Sequence, residues 1–523
     1  MSARANPLPL PVDVAVLDST LRLGVLGTGF HPSIGDGLAV LRHLTDLGVA
    51  YVEAGAPGES PRDATLFARA RQELDALPTL VGHATAPLHD GAVRGLETAR
   101  PDVVNLSVVT SRPWVERVLD TAPDEYVEQV RSAVERLRSE GFRLFVDAEH
   151  AVDGWFADDD FARRVLAECA AAEVVSVVDT LGGALPWDVA TVVGHLAAVV
   201  PVVGVQCHDD AGCATASTLA AVRAGAQLVQ VTVNGYGSRC GAADLAAVVA
   251  GLETKLQRRC LPAGRLPELQ RIVHAVAETA NLVPEPHQPY VGTAAFAHRA
   301  GPAAAAVTRA PDLAQHVDPA AVGNDMTLLV SELAGRAGVE LKARQLGVEV
   351  PADMAGRVID VVRSREAAGY SYEAAEASFE LLLRAEVDGL PPRVFDLESW
   401  RAIVERRADG ELAAEATVKA YVDGRRVVAT GEGNGPVNAL DTAIRQAIGA
   451  DHPALDRMEL VDYKVRILDA GHGSGTAAIT RVLVTTSDGE REWVTVGAGE
   501  NVIDASWQAL DDAYTYGLTL RRD

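Results

Sequence analysis

The sequence predicts an α/β chain: a (β/α)8 barrel, then a helical stretch, then a separate α+β domain. Three observations carry this. Short, apolar, β-branched runs alternate with amphipathic helical stretches through the first half, the pattern of parallel strands buried on both faces. Polar clusters such as His208-Asp209-Asp210 follow directly on these runs, where barrel strands would present side chains to a site. Near Val394 the composition changes to long alternating strands. A doubly wound sheet is the competing arrangement, but no G-x-G-x-x-G follows the first strand.

Taken in order, strands are expected near Val14–Leu17, Tyr51–Ala54, Thr79–Gly82, Val103–Val108, Leu144–Val146, Val174–Val178, Val202–Cys207 and Leu228–Val233. Helices are expected at Gly37–Leu47, Arg62–Leu77, Glu125–Ser139, Asp159–Ala171, Trp187–Val199, Ala214–Ala224 and Ala242–Lys255. From about Leu261 the pattern is helical and interrupted. From about Val394, alternating strands bracket two helices, Val437–Ile448 and Asn501–Tyr516. The expected domains are 1–260, 261–390 and 391–523, with no convincing internal repeat.

A chain of 523 residues is too long for one core. No apolar run approaches transmembrane length, and MSARANPLPLPVD lacks a signal-peptide core. Five cysteines, an odd number without a C-x-x-C, fit reduced thiols and a cytoplasmic protein. A net charge of -25 argues against nucleic acid or an anionic membrane as partner. It leaves room for a small anionic substrate, which local arginines would hold.

The stretch from Val202 to Leu245 is densest in chemistry-bearing residues. Two short buried strands are each followed by a polar loop, Gln206-Cys-His-Asp-Asp-Ala-Gly212 and Asn234-Gly-Tyr-Gly-Ser-Arg-Cys-Gly241. His208, Asp209, Asp210, Asn234 and Arg239 are therefore pocket candidates. Cys207 and Cys240 read as small packing residues, and Gly235 and Gly237 as turn formers.

This stretch resembles the HTHNDAGC…NGYGERCGN run of the 2-isopropylmalate, homocitrate and citramalate synthases. Further likenesses are Asp18-Ser-Thr-Leu-Arg-Leu-Gly24, Asp147-Ala-Glu-His150, Asp179-Thr-Leu-Gly-Gly-Ala-Leu-Pro-Trp187, Val330-Ser-Glu-Leu-Ala-Gly-Arg336, Gly433-Asn-Gly-Pro-Val-Asn-Ala-Leu-Asp441 and Asp462-Tyr-Lys-Val-Arg-Ile-Leu468. They span nearly the whole chain and are most similar to the citramalate synthase branch with a C-terminal regulatory domain. The resemblance implies a Claisen-type condensation. Acetyl-CoA, deprotonated at its methyl group, attacks the keto carbon of a 2-oxo acid. Pyruvate is the default acceptor, giving citramalate for isoleucine and branched-chain amino-acid synthesis. A divalent metal would polarise the carbonyl, an arginine would offset the alkoxide charge, and a base would take the proton. By resemblance Arg22 and Glu149 are catalytic, Arg22, Thr180 and Asn234 hold substrate, and His208 is a metal ligand. Glu53, His83 and Asp179 complete the pocket, with His83 and His298 read as structural histidines. Glu149 and His150 could also form a buried ion pair.

The departures cluster at the chemistry. The family's metal-ligand Asp is Leu23, and the first histidine of H-x-H is Gln206. The glutamate of GER is Ser238, and the second histidine of H-[KR]-x-G-x-H is Ala303 in His298-Arg-Ala-Gly-Pro-Ala303. Asp209 or Asp210 could swing in as a replacement ligand. The metal site is thus expected to be incomplete or rebuilt. A catalytically silent paralogue that binds a metabolite or acts as a regulatory subunit is one alternative, and metal-independent aldol-type chemistry is another. For the C-terminal domain the resemblance implies homodimerisation and a branched-chain amino-acid effector.

Overall fold

The computed structural model describes residues 13–299, 306, 307, 309–329, 336–351, 354–389, 393–406, 408, 410, 412–468 and 478–519. The chain forms two compact units, Met1–Phe296 with Val317–Met326, and Ala297–His316 with Thr327–Asp523. The interrupted helical stretch from residue 261 is divided between them.

In the first unit eight parallel strands close a barrel: β1 (Ala15–Asp18), β2 (Tyr51–Glu53), β3 (Thr79–Thr85), β4 (Val103–Val109), β5 (Leu144–Glu149), β6 (Val174–Asp179), β7 (Val203–Cys207) and β8 (Leu228–Val231). β8 pairs back onto β1 with Leu17 opposite Gln230. The main outer helices are α1 (Ile34–Leu47), α2 (Pro61–Glu73), α3 (Asp90–Ala99), α4 (Pro123–Ser139), α5 (Asp159–Glu168), α6 (Pro186–Ala197), α7 (Ala214–Ala224) and α8 (Leu245–Thr254). α9 (Leu269–Thr279) packs beside α1.

Local chemistry sets the helix starts. Ser33 and Asp36 form a reciprocal capping box on α1. The Asp244 carboxylate accepts from the backbone N–H groups of Ala246 and Ala247, so α8 begins at Leu245 and not at Ala242. Sequence reading missed α3, because two glycines dilute its helical signal. One of them is required: a Cβ on Gly95 would lie 2.5 Å from the Gly58 Cα.

Period two along the strands divides the barrel interior into layers. The lowest is apolar, a separate buried cluster that includes Leu17, Tyr51, Val81, Val103, Phe145, Val174, Val202 and Leu228. Tyr51 and Phe145 meet edge to face at its centre, 5.2 Å between ring centroids. Two residues further along most strands the interior turns polar, with Glu53, His83, Asn105, Asp147, Ser176 and Gln230 all buried. A Cβ on Gly204 in this layer would lie 2.4 Å from Ser176 Oγ.

The barrel seam is closed by a polar clasp. Asp18 accepts from the backbone N–H and the hydroxyl of Thr20, each at 2.9 Å. The Thr20 hydroxyl in turn accepts from Val233 N at 2.8 Å, tying the end of β1 to the end of β8. Burial outweighs these hydrogen bonds and raises the Asp18 carboxyl to about 7.

In the second unit two short strands, β9 (Ala297–Arg299) and β10 (Thr327–Leu329), pair in parallel. Three helices follow: α10 (Arg336–Gln345), α11 (Met354–Ala367) and α12 (Glu376–Asp388). Next come two antiparallel sheets, β11 (Asp396–Arg406), β12 (Leu412–Val422) and β13 (Arg425–Gly433), then β14 (Glu459–Ile467), β15 (Thr480–Ser487) and β16 (Glu492–Gly499). Each sheet runs on into a helix, α13 (Pro436–Ile448) or α14 (Val502–Thr519), so the same βββα order occurs twice. Sequence reading found no trustworthy repeat here, because the two halves share an order of elements and little residue identity. Among the described residues no helix is long and apolar enough to cross a membrane.

Two outcomes follow from the barrel interior. Phe145→Ala should cost about 3–5 kcal/mol of stability in denaturant unfolding, because the closed interior cannot collapse into the void. Asp18 binds its proton more tightly folded than unfolded, where its value is near 3.8. Its stabilising contribution is complete at acid pH and is lost as pH rises from there through about 7. Thermal melts of Asp18→Asn should therefore show a flatter decline between acid and neutral pH than the native chain; parallel curves would contradict this.

Candidate active site

The mouth of the barrel is organised from its polar layer upward. Past β1, a short helix (Thr20–Leu23) carries Arg22. Arg22 Nη2 donates to His83 Nε2 at 2.7 Å, and Arg22 Nε lies 4.0 Å from Glu53 Oε2. A guanidinium has no acceptor, so His83 Nε2 carries the lone pair and Nδ1 the proton. That Nδ1–H donates to Glu53 Oε1 at 3.2 Å. Asn105 Nδ2 bridges Glu53 Oε1 (3.1 Å) and Asp147 Oδ2 (2.7 Å). Gln230 Nε2 then donates to Asp147 and to Ser176 Oγ. One chain of hydrogen bonds thus runs from Arg22 across the barrel to Ser176.

Two carboxylates share this layer, and their surroundings push them apart. Burial would raise Glu53, but the Arg22 charge and the hydrogen bonds from His83 and Asn105 overcome it and hold the carboxyl below its ordinary value. Asp147 is raised, first by burial and then by the charge of Glu53. Glu53 is therefore the fixed negative charge against which Arg22 is held.

The loops beyond β5 to β8 place the other candidates. Glu149 ends β5, two residues beyond Asp147, and its backbone carbonyl accepts from Thr110. His150 does not pair with Glu149: it sits in the left-handed region (φ 56°), packs tilted against the Trp114 ring and meets Asp153 Oδ2 at 3.2 Å. The Thr180 hydroxyl accepts from His150 N at 2.7 Å, leaving its own O–H to donate. Asp179, raised by burial, accepts from Gly182 N and Ala184 N and so shapes its loop. Asn234 is tied at both ends. Its Nδ2 donates to Tyr236 and to Val273 O, while its Oδ1 accepts from Gln288. The buried Cys207 thiol is pushed up by burial, as expected of a packing residue.

His208 donates Nδ1–H to the Gly241 carbonyl at 3.2 Å, which leaves Nε2 as its lone-pair nitrogen. Burial, then the Arg239 charge, lowers its basicity. Gly241 is obligatory here: its φ is 93°, and a Cβ would lie 2.0 Å from the Gly235 carbonyl oxygen.

The donor set does not fit the metal that the family pattern implies. Leu23 is 2% exposed and has no donor atom; Gln206, 3% exposed, offers a neutral amide. Neither replacement acid is available. Asp209 Oδ1 accepts from Ala214 N at the start of α7, and Asp210 is held by both arms of Arg239 at 2.7 and 2.9 Å. Among the described residues no group of three or more His, Cys, Asp or Glu is placed to hold a metal ion. One imidazole and one amide supply no charge to repay dehydration of a divalent cation. His298 lies in the second unit, and Ala303 falls outside the described residues.

Sequence reading singled out Arg22, Glu53 and His83 separately but missed their partners Asn105, Ser176 and Gln230. The signal was present: most barrel strands carry a polar residue two positions after an inward apolar one.

Comparison with known proteins covers the chain from the barrel to the C-terminal domain. Residues 13–273 match the HMGL-like family, residues 290–368 the homocitrate synthase post-HMGL domain-like family, and residues 373–518 the LeuA allosteric (dimerisation) domain. An (R)-citramalate synthase of Streptomyces coelicolor is 50% identical over 96% of this chain and 96% of its own length. Those of Geobacter sulfurreducens and Synechocystis are 35% and 36% identical, each over at least 96% of both chains. On its barrel, its C-terminal domain and this full-length identity, the chain belongs to the citramalate synthase family.

Proposed function

We propose that the barrel condenses acetyl-CoA with a small 2-oxo acid, pyruvate by default, in the cytoplasm. Arg22, in place of a metal, offsets the charge that develops on the keto oxygen. The carrying observation is Arg22 itself, a cation at the mouth whose side chain is 16% exposed and whose counter-charge, Glu53, is wholly buried. A guanidinium so anchored offers its remaining N–H groups as a fork to the carboxylate and keto oxygen of a 2-oxo acid. The Thr180 hydroxyl, positioned by His150, supplies one further donor. Glu149, at the end of β5, contacts the substrate or assists the base. His208 Nε2 acts as an acceptor, and Asn234 supports the loop beneath them. Full-length kinship with citramalate synthases supports the reaction class.

For the second unit we propose homodimerisation through the face of the β11–β13 sheet that carries Ile403 and Val428. Ile403 and Val428 are each more than half exposed on that face, and exposed apolar surface of this kind marks an association site. A site for a branched-chain amino-acid effector is proposed in a cavity of about 780 Å³ at the Asn434–Asp441 turn, lined by Asn434, Asn438 and the Asp441–Arg445 ion pair.

Arg22→Ala should lower kcat/KM for CoA release with pyruvate by roughly 10²-fold or more. Arg22→Lys, which keeps the charge but loses the fork, should mainly raise KM. Native turnover in Arg22→Ala would contradict the assignment. A native chain that releases no CoA with any 2-oxo acid would favour the silent paralogue. Light scattering should give about twice 55.0 kDa for the native chain, and Ile403→Asp should shift it toward one chain. A monomeric native protein would contradict the dimer.

A further inference from the structure

Resting on that reading, we infer that His83 is the proton-transfer residue of the condensation, positioned by Glu53 and capped by Arg22 until the 2-oxo acid binds. His83 is 5% exposed and touches both charged partners. Its Nδ1–H is fixed on a carboxylate that is itself held by Asn105. That leaves Nε2 as the basic nitrogen, an orientation suited to general-base work. In the resting state this lone pair is occupied by Arg22 Nη2 at 2.7 Å, with the Thr85 hydroxyl at 3.4 Å.

An arriving carboxylate competes for Arg22, because an anion is a better guanidinium acceptor than a neutral imidazole. Movement of Nη2 to the substrate frees Nε2 beside the keto group that Arg22 now holds. Nε2 then takes a methyl proton from the acetyl thioester. The C–H electron pair forms the new C–C bond, and the carbonyl π pair moves onto the keto oxygen. The imidazolium, stabilised by Glu53, returns a proton to that alkoxide. Water later cleaves the thioester, releasing the CoA thiol and a carboxylate, so no further reactant is consumed.

The placement gives the site a sequence of events. The 2-oxo acid both anchors on Arg22 and exposes the base, so acetyl-CoA meets a competent base only when its acceptor is present. It also gives the departures a common physical sense. With no metal to acidify or polarise, acid, base and electrophile-binding group are gathered into one hydrogen-bonded set on β1, β2 and β3.

The test is His83→Gln, whose amide can still donate to Glu53 and accept from Arg22, so the fold is retained. With acetyl-CoA and pyruvate, kcat should fall by roughly 10²–10⁴-fold while KM for pyruvate is unchanged. In ¹⁵N-histidine spectra of the native chain, the His83 Nε2 resonance should move when oxamate, a 2-oxo acid analogue, saturates the site. A His83→Gln chain with near-native kcat would overturn the inference and leave the functional reading standing. An Nε2 signal indifferent to bound oxamate would overturn the uncapping. A native chain inactive on every 2-oxo acid would overturn the functional reading itself, and this inference with it.

Discussion

The site depends on one buried charge. Glu53 has no solvent and sits inside a closed barrel, where an isolated carboxylate would cost several kcal/mol (order of magnitude) to keep ionised. It stays ionised because Arg22 approaches from the mouth and His83 and Asn105 donate from the sides. The constraint acts both ways. Arg22 has one place to go, so the same charge that must be neutralised fixes the cation where a substrate anion would arrive. Asn105 ties Glu53 to Asp147, whose proton affinity is raised by burial and then by the Glu53 charge, and Gln230 ties Asp147 to β6. The apolar plug of Tyr51 and Phe145 below keeps water from relaxing the arrangement.

Seen this way, Leu23 and Gln206 sit beside a site that has been reweighted rather than emptied. The backbone devices of the scaffold remain: the left-handed Gly241, the Asp179 loop and the Asp209 helix cap. What has gone is the donor chemistry for a divalent ion. What remains is a forked cation with a buried counter-charge and an imidazole of defined tautomer. On the proposed reading these supply electrostatic stabilisation of an alkoxide and a proton-transfer group, the two things the condensation requires after substrate binding.

Much of this was legible in the sequence. The alternation of β-branched runs with helical stretches places the starts of eight strands to within one residue and their ends to within three, because strands buried on both faces need that composition. The boundaries that slipped have local causes: Asp244 capping delays α8, and Asn234, in the left-handed region, ends β8 at Val231. At the site, motif spacing pointed to Arg22 and His208. The pairing of Arg22 with His83, and of Asn105 with two carboxylates, depends on barrel closure, which brings together residues far apart in sequence. Period two would have placed Glu53, Asn105, Asp147 and Gln230 on one interior layer. It could not have said which of them pair.

On the proposed reading this barrel works through Arg22 and its buried partners rather than through a divalent ion. The decisive experiment is CoA release from acetyl-CoA and pyruvate, measured with and without a strong chelator on purified protein whose metal content is determined in parallel. Turnover that survives chelation, with metal well below one ion per chain, is the expected result. Stoichiometric metal, together with turnover abolished by the chelator and restored by adding the ion back, would contradict it.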